Sequence, residues 1–330
     1  MQLEEITNRA QWDDWVAGHP FGHPLQLWGW GEVKRLNGWT PLRLAWVEDG
    51  QIKAAAQMLL WPIPRLGKMV AYVPRGPVID PVDAAAHAFI DHLRQAAKGH
   101  RALYLKLEPA WREFAFGSRW EKTEDHVLLP ETFTIDLSQS EDEMLEKMSR
   151  KHRQYIRKAE REGVKVVECR HQREHLGRFG RIYSQTAKRA GFSIHAKDYY
   201  DELSIQLGDS NHIYYAEIDG QPEAVLWVAT AGTVAFELYG GVTEKGQDNK
   251  ANYALKMQAI RDAKAAGLKL YDFNGRLNEG VSQFKEGFGP DETDWVGTYH
   301  APIDKTAYAV WSKLFPILKP IGRKIIGGRK

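Results

Sequence analysis

The chain has 330 residues, 43% hydrophobic and 27% charged, with 12 Trp, 13 Tyr and a net charge of +2. These proportions describe a soluble globular protein of one large or two ordinary domains. No apolar run approaches the roughly 20 residues that span a bilayer, and Cys169 is the only cysteine, which excludes an intrachain disulfide. The opening "MQLEEITNRAQWDDW" has no basic region followed by an apolar one, so it is not a signal peptide. The expectation is a cytoplasmic protein.

In chain order, "WGWGEVKRLNGW" reads as a helix ending at Gly38. Strands "PLRLAWVE", "QIKAAAQMLL" and "KMVAYVPRGPV" follow, the first two joined by Asp49-Gly50; then come a helix, "DAAAHAFIDHLRQAAKG", and a strand, "RALYLKLEP". The same order returns later. Strands "HIYYAEI", "QPEAVLWVAT" and "TVAFELYGGV", with Asp219-Gly220 after the first, precede helix "KANYALKMQAIRDAKAAG" and strand "LKLYDFNG". Asp-Gly between alternating runs predicts a hairpin, and Gly99 and Gly267 are read as matching helix C-caps. A repeated order of elements predicts a repeated domain. A meander followed by helix and strand resembles the GNAT acyltransferase fold, so the predicted fold is mixed α+β with two tandem GNAT-like domains.

The predicted boundary lies near "LLPETFTIDLSQSEDEMLEKM", where a strand gives way to an N-capped helix with acids in its first turn. The first domain is taken as 1–135 and the second as 136–300, with an extra helical segment near 171–207. The tail 301–330 is expected to pack back on the first domain. Residues 150–161, "RKHRQYIRKAER", hold six Lys/Arg against one Glu. The tail beyond Asp304 carries seven Lys/Arg and no acid, and its Trp311, Leu314, Phe315, Ile317 and Leu318 form one apolar side. That side suits either an anionic membrane surface or the body of the protein.

A GNAT-like fold raises a CoA-dependent N-acyltransferase as one reading. Such enzymes hold pyrophosphate on a Q/R-x-x-G-x-G/A loop at a helix N-terminus. Aligned on Gln247, the glycine positions here are Lys250 and Asn252, and the first copy, "GPVIDPVDAAAHAF", has no glycine pair. A non-catalytic protein binding nucleic acid or membrane is a third reading.

Several stretches together resemble the Fem family of aminoacyl-tRNA-dependent peptidyltransferases. They are "LQLWGWGEVKRLNGW", "YVPRGPVID", "TFTIDLSQSEDEMLEKMSRKHRQYIRKAEREGVKV", "YYAEIDGQPEAV", "LYGGVTEKGQDNKANYALKM" continuing to "YDFNG", and "VSQFKEGFG". They run in family order over nearly the whole chain. No sustained heptads occur, so the chain resembles the short members without a coiled-coil arm. The resemblance implies transfer of Gly, Ala or Ser from aminoacyl-tRNA to the side-chain amine of a stem peptide. The acceptor would be lipid II or UDP-MurNAc-pentapeptide; no metal or redox cofactor is implied, and a monomer is expected.

The resemblance also implies roles. Lys285, in a glycine-laced stretch read as a loop, would stabilise charge in the transition state, and Phe284 would stack on the terminal adenine. Lys34, with Arg35 as competitor, would bind the acceptor's diphosphate. The second diphosphate residue, an arginine in the family, falls on His195 here, with Arg189 and Lys197 nearby. Tyr239 would lie near the acceptor peptide, and Tyr253 is a further substrate-binding candidate. Glu108 or Asp272 would orient or deprotonate the incoming amine, whose pKa is near 10.4 when free. Arg150, Lys151, Arg153, Arg157 and Lys158, with Arg161 beyond them, are the candidate tRNA contacts.

Overall fold

In the computed structural model, residues 2–169, 173–276 and 279–313 are described. Along the chain lie β1 (Gln2–Glu5), α1 (Arg9–Gly18), α2 (Trp28–Arg35), β2 (Thr40–Glu48), β3 (Gln51–Ile63) and β4 (Lys68–Arg75). Helix α3 (Ala86–Gly99), β5 (Ala102–Pro109), β6 (Glu121–Thr123), β7 (Glu131–Asp136), α4 (Glu141–Lys147) and α5 (Arg150–Arg161) follow. Next come β8 (Lys165–Cys169), α6 (Arg173–Ala190), α7 (Lys197–Leu207), β9 (Asn211–Ile218), β10 (Gln221–Ala231) and β11 (Val234–Val242). Short α8 (Glu244–Asp248), α9 (Ala251–Ala265), β12 (Leu270–Asp272), α10 (Glu279–Glu286), β13 (Asp291–Asp294) and β14 (Thr298–Pro302) complete the order.

Two seven-stranded sheets result, ordered β1-β2-β3-β4-β5-β14-β6 and β13-β7-β12-β11-β10-β9-β8. Read from opposite ends they are the same pattern. Each is antiparallel except for one parallel pair, β4 with β5 and β11 with β12, and a helix crosses over each such pair. A parallel connection needs that crossover, whereas the antiparallel pairs β2–β3 and β9–β10 join by tight hairpins. The hairpin residues Asp49, Gly50, Asp219 and Gly220 all adopt positive φ, as a two-residue turn between twisted strands requires. The mixed α/β fold with two GNAT-like sheets is therefore present. The longest described helix, α6, has 18 residues, and no coiled-coil arm projects from the described residues.

Some local expectations change. Gly267 takes φ +80° and ends its helix, but Gly99 lies inside α3 and Arg101 takes the left-handed conformation instead. Helix α2 ends at Arg35 rather than Gly38. Strand β7, around the expected boundary at 135/136, pairs with β12 and β13 of the second sheet. Strand β14 returns to the first sheet beside β5. Tyr308 beyond it packs on Tyr104 and His300; the apolar positions Leu314, Phe315, Ile317 and Leu318 lie outside the described residues.

Apolar spacing explains the packing. On α3, Ala86, Phe89, Ile90, Leu93 and Ala97 form one buried face against the first sheet. Helices α5 and α9 cover one face of the second sheet. A further core joins the halves: Trp12, Val16, Trp30 and Val33 pack with Phe179, Tyr199, Leu203 and Trp227. Helix α2 meets α7 there, because Gly29 has no side chain; a Cβ would sit 2.0 Å from the carbonyl oxygen of Gln206. Arg9 donates to the same carbonyl at 2.6 Å. Trp227→Ala would empty the centre of this shared core. It should lower unfolding free energy by about 3–5 kcal/mol in a urea titration.

Candidate active site

Strand β11 leaves the parallel pair with a bulge. Trp227 pairs with Tyr239 and Val228 with Glu237, so Leu238 is the extra residue. A bulge re-aims its strand, and Glu237, Leu238 and Tyr239 all contribute to the wall of a cavity of about 660 Å³. Helix α6 supplies Arg189 to this cavity, α9 supplies Asn252 and Lys256, and α10 supplies Phe284 and Lys285.

Lys285 occupies the last turn of α10, which replaces the expected glycine-rich loop. Its ammonium is buried and donates to the carbonyls of Phe273 (2.7 Å) and Gly275 (2.6 Å), at the turn after β12. Two of its three N–H bonds are thus accounted for. Burial pulls its pKa from the usual lysine value down to about 8, against the raising effect of Glu237 and Asp272. The glycines nearby serve the protein's own packing. A Cβ on Gly287 would lie 1.8 Å from the His152 ring, and Gly289 has φ +72° with Lys147 backbone atoms 2.5 Å from its Cβ position. His152 in turn meets the Phe284 carbonyl at 2.9 Å. Phe284 lines the cavity and packs edge-on against Tyr253, 5.0 Å between centroids. Tyr253 does not line the cavity; it stands behind Phe284, among His152, Tyr155 and Phe288.

A second cluster adjoins the first through Tyr239. Lys34 Nζ donates to the Tyr199 hydroxyl at 2.9 Å and lies 4.1 Å over the Trp30 ring. Tyr239 neighbours Tyr199, and its pKa is raised well above the ordinary tyrosine value by burial and by Tyr199. His195 stacks on Tyr199 with centroids 3.9 Å apart, and its pKa is lowered by desolvation and by Lys34. Arg35 points elsewhere, to Glu32 at 2.8 Å. Arg189 donates to the Val242 carbonyl at 3.0 Å on the cavity rim, and Lys197 pairs with Asp201.

Glu108 and Asp272 stand apart from the cavity wall. Glu108 is buried and accepts from Tyr72 Oη (2.5 Å), Val127 N (2.7 Å), Leu128 N (3.0 Å) and Thr298 Oγ1 (2.9 Å). Four bonds fill its acceptor positions. Asp272 accepts from Thr132 Oγ1 (2.7 Å) and Asn274 N (2.8 Å), and burial raises its pKa. Both carboxylates tie strands and loops together around Arg75, which is itself buried.

On α5, Arg150, Lys151 and Arg157 are exposed. Arg153 instead caps α4, donating to the carbonyls of Leu145 (2.8 Å) and Met148, and Lys158 pairs with Glu162 at 3.7 Å. Nothing in the sequence singled out Tyr199, Glu237 or Lys256. The one available signal was a lysine on the apolar side of a helix, in "ANYALKMQAI". At the N-terminus of α9, Lys250 takes φ +60° and its ammonium bonds the Gln247 carbonyl at 3.0 Å, where a CoA-binding loop would present glycines. Among the described residues no group of three His, Cys, Asp or Glu is placed to hold a metal, and no helix is long and apolar enough to cross a membrane.

Comparison with known proteins places this geometry. The lipid II:glycine glycyltransferase of Staphylococcus aureus (strain USA300) is 29% identical, over 98% of this chain and 98% of that protein. The protein of the same name from Staphylococcus epidermidis is 24% identical, over 99% and 100% respectively. Those alignments run over 417 and 418 positions, so both relatives hold segments this chain lacks. A crystal structure of FemX superposes with TM-score 0.84 at 20% identity, covering 94% of this chain and 99% of that one. A tandem GNAT protein from the clavulanic acid pathway superposes at 0.50 and 13% identity, covering 91% and 98%, a likeness of fold alone. The FemAB family profile matches residues 7–129, 130–225 and 221–314. With the profile spread over both sheets, the chain belongs to the FemAB family.

Proposed function

We propose that this chain is a transferase that moves an amino acid from aminoacyl-tRNA to the side-chain amine of a peptidoglycan precursor. Lys285 carries the reading: a buried ammonium at a cavity wall with one N–H left for a ligand. Attack of an amine on the donor ester builds negative charge on the carbonyl oxygen and then on the departing ribose oxygen. A fixed ammonium at the wall of a largely apolar cavity stabilises both at no cost in reorganisation. The glycyltransferase relatives, whose names give lipid II as acceptor, favour glycine as the residue moved and lipid II as its recipient. Alanine, serine and the soluble UDP-linked pentapeptide are the other substrates to be assayed.

The remaining side chains divide by position. Lys34, Tyr199 and Tyr239 suit the acceptor's diphosphate, with Lys34 supplying the charge that a neutral His195 ring cannot. Phe284 offers a face to the terminal adenine, and Tyr253 braces it from behind. Arg150, Lys151 and Arg157 suit tRNA phosphates, while Arg153 and Lys158 are engaged within the protein. Glu108 and Asp272 fit as structural carboxylates, not as the base. In this scheme the acceptor amine enters neutral, forms the amide, and passes its second proton to the ribose oxygen that leaves. Arg189 stands at the rim to meet an anionic part of either substrate.

Lys285→Ala should lower the rate of glycyl transfer from charged tRNA to lipid II by about 10²–10³-fold, the usual effect of removing one oxyanion donor. Near-wild-type turnover would dismiss the role. Because the acting form of Lys285 is the protonated one, the rate expressed per neutral acceptor amine should be flat below the Lys285 pKa and fall as pH rises through about 8. Lys34→Ala should raise KM for lipid II by about tenfold, the loss of one charge-assisted hydrogen bond, with kcat changed far less.

A further inference from the structure

The cavity wall contains a buried ion pair that the scheme above leaves without a task. Glu237 of β11 accepts from Lys256 Nζ of α9 at 2.5 and 2.7 Å and from the Tyr271 hydroxyl at 2.8 Å. Both members of the pair are buried, and both line the cavity with Lys285. Buried pairs seldom stabilise a fold, since the desolvation of two charges offsets their attraction and apolar residues of similar volume do as well. Placed in a reaction cavity, such a pair points to function. Its contacts reach Lys285 from two sides. Lys256 Nζ lies 4.9 Å from the centre of the Phe273 ring and 5.5 Å from that of Phe284. Phe273 lends its carbonyl to the Lys285 ammonium, and Phe284 is the residue before it.

We propose that the Glu237–Lys256 pair is a positioning element of the transfer site, balancing the charge beside Lys285 and bracing the two aromatic rings that flank it. The inference rests on Lys285 acting as a cation. The charged and titratable groups around Lys285 come from several elements: Glu237 from β11, Lys256 from α9, Asp272 from the end of β12. His152 of α5 holds the Phe284 carbonyl, and Arg189 of α6 lines the same cavity. Burial is the main influence on the Lys285 ammonium and disfavours it; Glu237 favours it, Lys256 opposes it and Asp272 favours it. The pair is thus self-compensating, and removing one member tips the balance in a direction set by the member that remains.

The test is the pH dependence of single-turnover glycyl transfer from charged tRNA to lipid II at saturating acceptor, with each rate expressed per neutral acceptor amine so that the fall-off reports Lys285. Glu237→Gln leaves Lys256 alone and should move the alkaline fall-off about one unit lower. Lys256→Met leaves Glu237 alone and should move it about one unit higher. The double variant, which buries no lone charge, should return close to the wild-type profile, and Glu237→Asp should keep the wild-type fall-off at a reduced rate. Opposed shifts are a signature that lost packing cannot produce. Fall-offs that coincide, or that move in the same direction, overturn the inference; should the single variants fail to fold, an undiminished rate in Glu237→Asp overturns it. If Lys285→Ala keeps wild-type turnover, the assignment of Lys285 itself fails; if it is inactive while the fall-offs coincide, only the role of the pair fails.

Discussion

An ammonium taken out of water must find acceptors or give up its proton, and the second half of this molecule is arranged around that demand at Lys285. The turn after β12 offers two carbonyls, at Phe273 and Gly275, to the last turn of α10. That turn is held in place by Thr132 Oγ1, which accepts from Gly275 N at 2.8 Å and donates to Asp272. Helix α10 is held by its neighbours in turn: the His152 ring fills the space left by Gly287 and meets the Phe284 carbonyl. Each contact is ordinary in strength, but together they fix one charged group against a cavity wall.

The cluster around Lys34 depends on a different constraint, the approach of α2 to α7. Neither helix carries the site alone. Lys34 comes from the first half of the chain, while Tyr199, His195 and Tyr239 come from the second. The shared core around Trp12, Trp30, Phe179 and Trp227 sets the distance between them. Tyr239 belongs to both places, lining the cavity that holds Lys285 and neighbouring the tyrosine that receives Lys34. Under the proposed function, a diphosphate held at the Lys34 cluster would adjoin, through Tyr239, the cavity that holds Lys285. The cavity of Lys285 belongs to the second copy alone, whereas the Lys34–Tyr199 contact exists only because the apolar seam joins the two copies.

Much of this was legible in the chain. The hairpins at Asp49-Gly50 and Asp219-Gly220, the two meanders and the two crossover helices follow from local alternation, helical spacing and turn chemistry. The capped start of α4 could be read as well, with Ser140 and Glu143 bonding each other's backbone as a capping box. The stretch around Lys285 was harder. Its glycines argue for a loop, yet two of them are there to admit a histidine ring and a neighbouring backbone, which only distant parts of the chain supply. The acids were harder still. Glu108 and Asp272 stand at strand ends beside plausible reactive positions, and nothing local shows that buried hydroxyls and amides already occupy them.

By itself the sequence determined the repeated order of elements, the absence of heptads, the family resemblance and the residue types available for chemistry, because these depend on neighbours within a turn or a strand. Tertiary structure decided which of those residues meet. It buried Lys285 and lowered its pKa, engaged Arg153 as a cap on α4, and sent Arg35 to Glu32 while Lys34 reached Tyr199. It also brought Glu237 and Lys256, 19 positions apart, to one cavity wall. Arg35 and Arg153 find their partners within eight residues. The burial of Lys285 and the meeting of Lys34 with Tyr199 turn instead on desolvation and on close approach between segments far apart in the chain, and neither quantity exists until the two sheets and their helices have packed.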